Sequence, residues 1–283
     1  MVALKYLLKL MNHGQDALSI LKETSRTFYI PISRLPEGLM EAVAAGYLCM
    51  RAIDEVEDHP TVDNAIKAQV LRDLSQVLQS GNRRFDIHAF DRAFGTHASA
   101  FPEVSLRLAE WANYAPQDIA PRVWEATATM ADRMAYWADH NWEIKTEFDL
   151  DRYTFSVAGS VGLLLSDLWA WHDGVRTDRI EAIGFGRGLQ AVNILRNHKE
   201  DLVRGVNFMP HGWTSVELDG YARRNLALAE SYTQALPKGP ARDFCALPLA
   251  LAQATLDTMT NGLPKLSRSQ VMAVVTQVTG LSF

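Results

Sequence analysis

Apolar residues recur three and four positions apart along most of this sequence, and the strict alternation typical of a half-buried β-strand is scarce. The clearest segment is Leu39–Val56, whose apolar and small residues predict a buried central helix. A second central helix is predicted over Arg179–Asn197. Because there is neither an internal repeat nor a linker-like stretch, we predict one all-α domain over residues 1–283, with roughly ten helices around a central apolar cavity.

The other helical segments are separated by short breaks. Ser25–Phe28 is predicted to be a break, and Pro36 to open the first central helix. The predicted helix Ala120–Asn141 carries a tryptophan and methionine stripe, which we interpret as core rather than as a cofactor contact. Gly159 and Gly162 indicate a close approach, with a kink or a ligand alongside, because glycine costs about 1 kcal/mol inside a helix. One or two helices, interrupted near Pro102, are predicted over Phe90–Ala112. The remaining helices are predicted over Leu4–Leu21, Asn64–Leu78, Ser156–Trp171, Thr214–Ala235 and Phe244–Thr260, the last being the final helix.

Charge and composition exclude several classes of protein. The net charge is −5, so no basic surface indicates nucleic-acid binding, and an anionic substrate must be met by local arginines or by bound metal. Cys49 and Cys245 lie in apolar sequence and are interpreted as small core residues in a reducing compartment. No run approaches the ~18 apolar residues of a membrane span. Met1–Leu10 does not resemble a signal peptide, and we therefore expect a cytoplasmic protein.

The first central helix ends in a cluster of acids. Asp54 and Asp58 are four residues apart and therefore project from one face of a helix, with Arg51 one turn before. Like charges at this spacing repel, and we expect a cation to compensate them. Oxygen ligands that are few and incomplete suit Mg²⁺, which keeps waters and completes its shell with substrate phosphates.

The second central helix ends in a similar stripe of oxygen side chains. Asn193, Asn197 and Asp201 repeat the four-residue spacing, and Arg196 stands beside them. Either segment by itself is typical of a solvated helix face. Together they predict two oxygen-bearing faces opposed across one pocket, with Arg51 and Arg196 holding phosphates.

A pocket of this kind permits ionisation of a prenyl diphosphate. Bound Mg²⁺ would neutralise the leaving diphosphate, and apolar walls would keep water from the allylic cation. Tyr153 or Tyr47 would then relay the proton lost later, although either tyrosine could equally be a buried ring with a satisfied hydroxyl. The residues predicted to line the tail pocket include Phe28, Leu48, Phe155, Leu164, Phe244 and Leu247.

Five segments, in this order and at this spacing, resemble the squalene/phytoene synthase family, which joins two prenyl diphosphates head to head. The resemblance covers Ser25 to about Arg268, and its C-terminal context is more similar to squalene synthases than to phytoene synthases. The segments are Ser25-Arg26-Thr27-Phe28, Tyr47-x-x-x-Arg51-x-x-Asp54-x-x-Glu57-Asp58, Tyr153 with Val157-Ala158-Gly159-x-Val161-Gly162, Gln190-x-x-Asn193-x-x-Arg196-x-x-x-Glu200-Asp201, and Phe244–Pro248 with Ala254–Leu256.

The resemblance implies an all-α class I isoprenoid synthase fold, Mg²⁺ dependence and a cyclopropyl diphosphate intermediate. It implies that Tyr153 assists proton removal, and Tyr47 is the second tyrosine that we predict to be catalytic. Lys265 and Arg268 loosely match residues that bind NADPH, with a solvated basic cluster as the alternative. The implied metal ligands are Asp54, Glu57, Asp58, Asn193 and Asp201, and we predict Asn197 as a further oxygen ligand. The residues implied to bind diphosphate are Arg26, Arg51 and Arg196, and we predict further substrate contacts from Ser25, Thr27, Phe28 and Gln190.

Two departures from the family pattern leave alternatives open. Asn197 stands where the family usually has an aspartate, so one metal ion should bind more weakly. Val206 stands where an arginine is common in the family. We therefore predict C30 synthesis from farnesyl diphosphate, with a prenyl diphosphate hydrolase or terpene cyclase as one alternative and a non-catalytic family member as another. We further expect a monomer or weak dimer, with peripheral membrane contact because substrate and product are apolar.

Overall fold

The computed structural model describes residues 16–81, 85, 87–263 and 265–280, and these residues form helices joined by turns, with no strand among them. Their contacts separate the chain into two compact units, Met1–Asp139 and His140–Phe283, each described by itself below. The all-α prediction is thus confirmed, while the single domain over residues 1–283 stays a prediction.

The first unit is built around a long buried helix. Its elements are α1 (described over residues 16–24), α2 (Arg26–Ile32), α3 (Leu39–Glu57), α4 (Asn64–Gln79), α5 (Ile87–Phe94), a 3₁₀ turn (Gly95–Ala100), α6 (Glu103–Leu106), α7 (Leu108–Tyr114) and α8 (Ala120–Asp139). Helix α3 packs against α4, α6, α7 and α8, and the Ser105 hydroxyl donates to the Ala52 carbonyl oxygen at 2.9 Å. The predicted first central helix is confirmed.

Core residues of the first unit follow the predicted patterns. The tryptophans and methionines of α8 are buried, which confirms that this stripe is core. Cys49 is fully buried, as is Cys245 in the second unit, and burial raises the pKa of both thiols.

Part of the predicted helix Leu4–Leu21, up to residue 15, lies outside the described residues. Among the helices that the structure describes, none combines the length and apolar character needed to cross a membrane.

The second unit is organised around α11. Its elements are α9 (Glu147–Thr154), a π-helical turn (Phe155–Gly159), α10 (Ser160–Asp173), α11 (Arg179–Val203), α12 (Ser215–Ala235), α13 (Pro240–Thr260) and α14 (Arg268–Thr279). Helix α11 packs against α9, α10, α12, α13 and the π turn. The predicted second central helix is confirmed, and it runs six residues beyond Asn197.

Glycines allow the closest helix contacts in this unit. A Cβ atom on Gly186 would lie 2.0 Å from the Ala158 carbonyl oxygen, and one on Gly162 would lie 2.0 Å from the Ala182 carbonyl oxygen. The close approach predicted around Gly162 is therefore the backbone of α11. Residues Phe155–Gly159 form a π-helical turn, in which one extra residue is accommodated within the helix, and the predicted kink stays a prediction.

Several boundary predictions are wrong. The predicted Phe90–Ala112 segment forms α5, a 3₁₀ turn, α6 and α7, and the helix predicted from Phe244 begins at Pro240. In three further places a local capping signal was overlooked. Ser25 is the N-cap of α2 rather than part of a break, and its hydroxyl oxygen accepts from the Phe28 amide at 3.2 Å. The first central helix begins at Leu39, after Gly38 with φ of 82°, and not at Pro36. The predicted final helix is followed by α14, where Ser267 and Gln270 form a capping box.

Candidate active site

The first acidic motif occupies the last turn of α3. One carboxylate oxygen from each of Asp54, Glu57 and Asp58 lies within 4.8 Å of the others. Glu57 is buried, and this last turn contains no basic residue. Because the carbonyl end of a helix already carries partial negative charge, the three carboxylates form a strongly anionic cluster. Their number and spacing suit one hard divalent cation with open coordination positions.

Arg51 neutralises part of this cluster in the structure. Its Nη1 donates to Asp54 Oδ2 at 2.8 Å, and its Nη2 pairs with Glu55. The Arg51 Nε is buried and has no hydrogen-bond acceptor among the described residues. The guanidinium therefore bridges two carboxylates through its terminal nitrogens, while its buried Nε donor makes no hydrogen bond to the described residues.

The Asp54 carboxyl has an unusual proton affinity. Burial of the carboxyl, followed by the charge of Asp58, raises its pKa to about 7, although Arg51 acts in the opposite direction. The side chain is still 33% exposed, so the carboxyl is crowded by its neighbours but remains reachable. A group with this pKa is only partly ionised near neutral pH and ionises fully when a cation binds beside it.

Tyr47 connects the Ser25–Phe28 segment to the acidic motif within the first unit. Its ring lies 5.7 Å from the Phe28 ring, and its hydroxyl interacts with the side chains of Ser25 and Thr24. Burial raises the Tyr47 pKa, and these hydrogen bonds only partly oppose that effect, so the hydroxyl stays protonated. Thr27 is exposed, and the side chain of Arg26 lies outside the described part of the chain.

The second motif runs along α11 from solvent into the core of the second unit. Asn193 and Arg196 are exposed, Asn197 is half-buried, and Asp201 is buried. Arg196 Nε donates to Asn197 Oδ1 at 3.1 Å. Gln190, one turn before Asn193, is half-buried. The stripe predicted from sequence, Asn193, Asn197 and Asp201 at a spacing of four residues, is thus present on α11. The Asn197 side-chain oxygen accepts a hydrogen bond from Arg196.

Tyr153 is buried at the end of α9. Its ring stacks on Phe208 with 4.6 Å between centroids and 18° between planes. Beside it lies a group of polar residues that sequence reasoning missed, in which Tyr221 donates to Asp151 at 2.8 Å and Arg187 contacts both the main chain and the side chain of Asp151. A detectable signal was the Gly-Arg-Gly sequence around Arg187, a charge within a run of small residues just before Gln190.

The remaining predicted positions are less closely grouped. Lys265 and Arg268 are exposed, and Arg268 is the first residue of α14, so their role with a cofactor stays a prediction. Of the proposed tail-lining residues, Leu48, Leu164, Phe244 and Leu247 are buried, whereas Phe28 and Phe155 are half-buried. The two acidic motifs belong to different units, and their meeting across a pocket stays a prediction.

Solved structures define the class of this fold. A complex of TcSQS with a bound ligand matches 94% of this chain and 85% of its own with a TM-score of 0.76 at 21% identity. A dehydrosqualene synthase in complex with a ligand matches 96% of this chain and 97% of its own with a TM-score of 0.67 at 19% identity. The chain therefore has the all-α isoprenoid synthase fold.

Sequence comparison then shows the family. The family model described as squalene/phytoene synthase matches residues 21–219, so the chain belongs to this family and the resemblance is confirmed. The squalene synthase of Schizosaccharomyces pombe is 28% identical over 84% of this chain, and that of Eremothecium gossypii 29% over 84%. The human squalene synthase is 28% identical over 94% of this chain and 72% of its own length. The matches span only 57% and 60% of the two fungal enzymes.

Proposed function

We propose that this protein is a Mg²⁺-dependent prenyltransferase. It condenses two molecules of farnesyl diphosphate head to head, through a cyclopropyl diphosphate intermediate, to squalene or a related C30 product. The observation that carries this proposal is the carboxylate cluster Asp54, Glu57 and Asp58 with Arg51 beside it, in a chain of the squalene/phytoene synthase family.

The cluster is suited to metal by its donor set. Three carboxylate oxygens within 4.8 Å provide hard ligands. Burial, followed by the charge of Asp58, raises the pKa of Asp54, so a cation bound at the cluster would favour the ionised carboxylate. When bound, Mg²⁺ supplies Lewis acidity toward the diphosphate leaving group. Asn193, Asn197 and Asp201 are the proposed ligands of the second motif, with weaker binding because two of the three are neutral amides.

The arginines are proposed to hold the diphosphate. Arg51 has its two terminal nitrogens on Asp54 and Glu55, and a cation at the cluster would offset the charge of Asp54. The Arg51 guanidinium can then turn toward phosphate oxygens, which match its planar fork of donors. Arg196 is exposed and is proposed to act in the same way, as is Arg26, with Ser25, Thr27, Phe28 and Gln190 contacting the substrate.

Two tyrosines are proposed for the proton steps. Tyr47 keeps its proton because burial raises its pKa, and it lies one turn before Arg51, where it can donate to a leaving phosphate oxygen. Tyr153 is buried against Phe208 and is proposed to assist the later removal of a proton from the carbocation. Lys265 and Arg268 are proposed for NADPH if the product is reduced.

Product analysis tests the proposal directly. Purified protein incubated with farnesyl diphosphate and Mg²⁺, with and without NADPH, should yield a C30 product in a hexane extract. A reaction with EDTA in place of Mg²⁺ is the control and should yield none. A parallel incubation with a C20 diphosphate measures the chain-length preference. Absence of any C30 product, where a known synthase works under the same conditions, would refute the proposal.

The main alternative is an enzyme that ionises one prenyl diphosphate and either hydrolyses or cyclises it. It is favoured by Asn197, a neutral amide that already accepts a hydrogen bond from Arg196. With one carboxylate fewer, the second motif should bind the metal needed for a second diphosphate more weakly. Farnesol or a C15 hydrocarbon as sole product would support it. A non-catalytic binding protein is the further alternative, and calorimetry without any Mg²⁺-dependent binding of a diphosphate analogue would favour that one.

The pKa of Asp54 predicts how stability and metal binding depend on pH. Because the folded-state pKa of about 7 exceeds that of the unfolded chain, the stability from this group is present below about pH 4 and is lost as the pH rises through about 7. Mg²⁺ needs the carboxylate, so we expect Mg²⁺ to raise Tm more at about pH 8 than at about pH 5.5.

Scanning calorimetry with EDTA or Mg²⁺ at the two pH values measures this effect. The Asp54→Asn variant is the matched control, because it keeps the shape of the side chain and removes the titration. The variant should lose most of the pH dependence of the Mg²⁺ effect. An equal Mg²⁺ effect at both pH values in the unaltered protein would contradict the role given to Asp54.

A further inference from the structure

The turn that follows Tyr153 has an irregular hydrogen-bond pattern. Residues Phe155–Gly159 form a π-helical turn between α9 and α10, and such turns leave main-chain carbonyls without their regular α-helical partners. Side chains add hydrogen bonds to main-chain carbonyls beside this turn. The Ser156 hydroxyl donates to the Arg152 carbonyl at 2.7 Å, and the Thr154 hydroxyl donates to the Leu150 carbonyl at 2.7 Å. This turn is therefore stabilised by side chains as well as by the backbone.

Residues of two other helices complete this support. Arg187 of α11 donates from Nη2 to the Asp151 carbonyl oxygen at 3.0 Å, and its Nη1 lies 3.4 Å from Asp151 Oδ1. Tyr221 of α12 donates to the same carboxylate at 2.8 Å. The Tyr221 oxygen can therefore only accept from Thr154 Oγ1, 3.0 Å away, whose single proton is shared between Tyr221 and the Leu150 carbonyl oxygen. The four residues Asp151, Thr154, Arg187 and Tyr221, here called the π-turn network, connect three helices around the residue before the turn.

The two hydroxyl-bearing members of this network are buried, whereas Asp151 and Arg187 are half-buried. Thr154 and Tyr221 are almost fully buried, so an unpaired hydroxyl on either would cost roughly 1–3 kcal/mol. Burial raises the pKa of Tyr221 above its ordinary value, and the hydroxyl keeps the proton that it donates to Asp151. Arg187 precedes Gln190 by three residues on α11. The network thus ties the turn beside Tyr153 to the helix that carries the second acidic motif.

We infer that the π-turn network is a positioning device, which holds the Tyr153 ring at a fixed place relative to the second motif within the same unit. The inference rests on the proposed role of Tyr153 in proton removal. Tyr153 and Thr154 are consecutive, so a shift of the last turn of α9 displaces the phenol. A displacement of about 1 Å near reacting atoms can cost on the order of a hundredfold in rate. Loss of the network should therefore lower kcat more than it raises KM.

The test compares two buried tyrosines of α12. Tyr221→Phe removes the hydroxyl that bonds Thr154 and Asp151, whereas Tyr232→Phe removes a buried hydroxyl that lies 3.0 Å from Ser166 of α10. We expect Tyr221→Phe to lower kcat by roughly 10- to 100-fold with KM within about threefold. Tyr232→Phe should leave kcat within about threefold. Equal kcat values for the two variants would overturn the inference.

A second pair of variants guards against simple loss of folding. Thr154→Val removes the hydroxyl at nearly constant volume, and Thr154→Ser keeps it. We expect Thr154→Val to reproduce the kcat loss of Tyr221→Phe and Thr154→Ser to restore kcat, with Mg²⁺-dependent binding of inorganic diphosphate unchanged in both. Failure of Thr154→Ser to restore kcat, or a loss of diphosphate binding that matches the loss of kcat, would contradict a positioning role.

Hydrogen exchange separates this inference from the proposed function. The amides of the π turn should exchange faster in Tyr221→Phe than in Tyr232→Phe or the unaltered protein, whether or not the protein makes a C30 product. If the unaltered protein makes no product while this exchange difference is present, the proposed function fails and the network still positions the turn. Unchanged exchange in Tyr221→Phe overturns the inference, whatever the activity.

Discussion

Replacing Asp54 with alanine is expected to lower turnover by about a thousandfold or more while leaving the helical fold intact. Asp54 belongs to the carboxylate cluster of α3 and also accepts from Arg51, so the variant loses a proposed metal ligand and releases the neighbouring guanidinium. Metal-assisted ionisation of a diphosphate depends on positive charge held near the leaving oxygen. This charge stabilises the transition state by several kcal/mol. Relief of the crowded carboxylate and loss of its ion pair with Arg51 change stability in opposite directions, so the fold should stay intact.

Glu55→Ala provides the matched control. Glu55 lies on the same turn and pairs with the same arginine, but it does not belong to the cluster of Asp54, Glu57 and Asp58. We expect its loss to cost roughly 10- to 100-fold in turnover, as is typical for a supporting residue and less than the loss expected for Asp54→Ala. Turnover and calorimetric Mg²⁺ affinity should be measured for both variants. Normal turnover of Asp54→Ala, or equal losses in the two variants, would show that the metal ligands are assigned wrongly.

Replacing Gly186 with alanine is expected to destabilise the second unit by about 3 kcal/mol or more. The added Cβ would lie 2.0 Å from the Ala158 carbonyl oxygen and 2.7 Å from the Gly159 amide nitrogen, and both of these are main-chain atoms that no rotamer change can move aside. Relief requires α11 to separate from the π turn, with loss of packing along the whole contact. For a chain of this size we expect Tm to fall by about 10 °C.

Gly220→Ala shows what the same change does without a contact. Gly220 lies within α12, and its added Cβ would meet only Arg224 Nη1 at 3.8 Å, an ordinary van der Waals distance. Alanine should then stabilise the helix by up to about 1 kcal/mol. If the close contact is real, urea unfolding should show a lower free energy of unfolding for Gly186→Ala and a higher one for Gly220→Ala. Equal effects of the two substitutions on stability would contradict the helix packing described for Gly186.

The candidate site was predictable where its residues share one helix. The carboxylates of Asp54 and Asp58 lie together because a four-residue spacing returns to the same face of α3, and the stripe from Asn193 to Asp201 follows the same rule on α11. The tertiary structure added the contact of Tyr47 with the Ser25–Phe28 segment, because α2 packs against α3.

The sequence by itself determined the all-α fold, the two buried helices and the acidic cluster, because helical periodicity and i,i+4 spacing are local properties of the chain. The π turn, the contact of α11 with Ala158 and the bonds of Tyr221 to Asp151 and Thr154 were decided only by the tertiary structure. Tyr221 is separated by 70 and 67 residues from these partners, and no periodic pattern specifies which buried hydroxyl meets which carboxylate. Packing of three helices selects those pairs, because each buried polar group must find a partner once water is excluded.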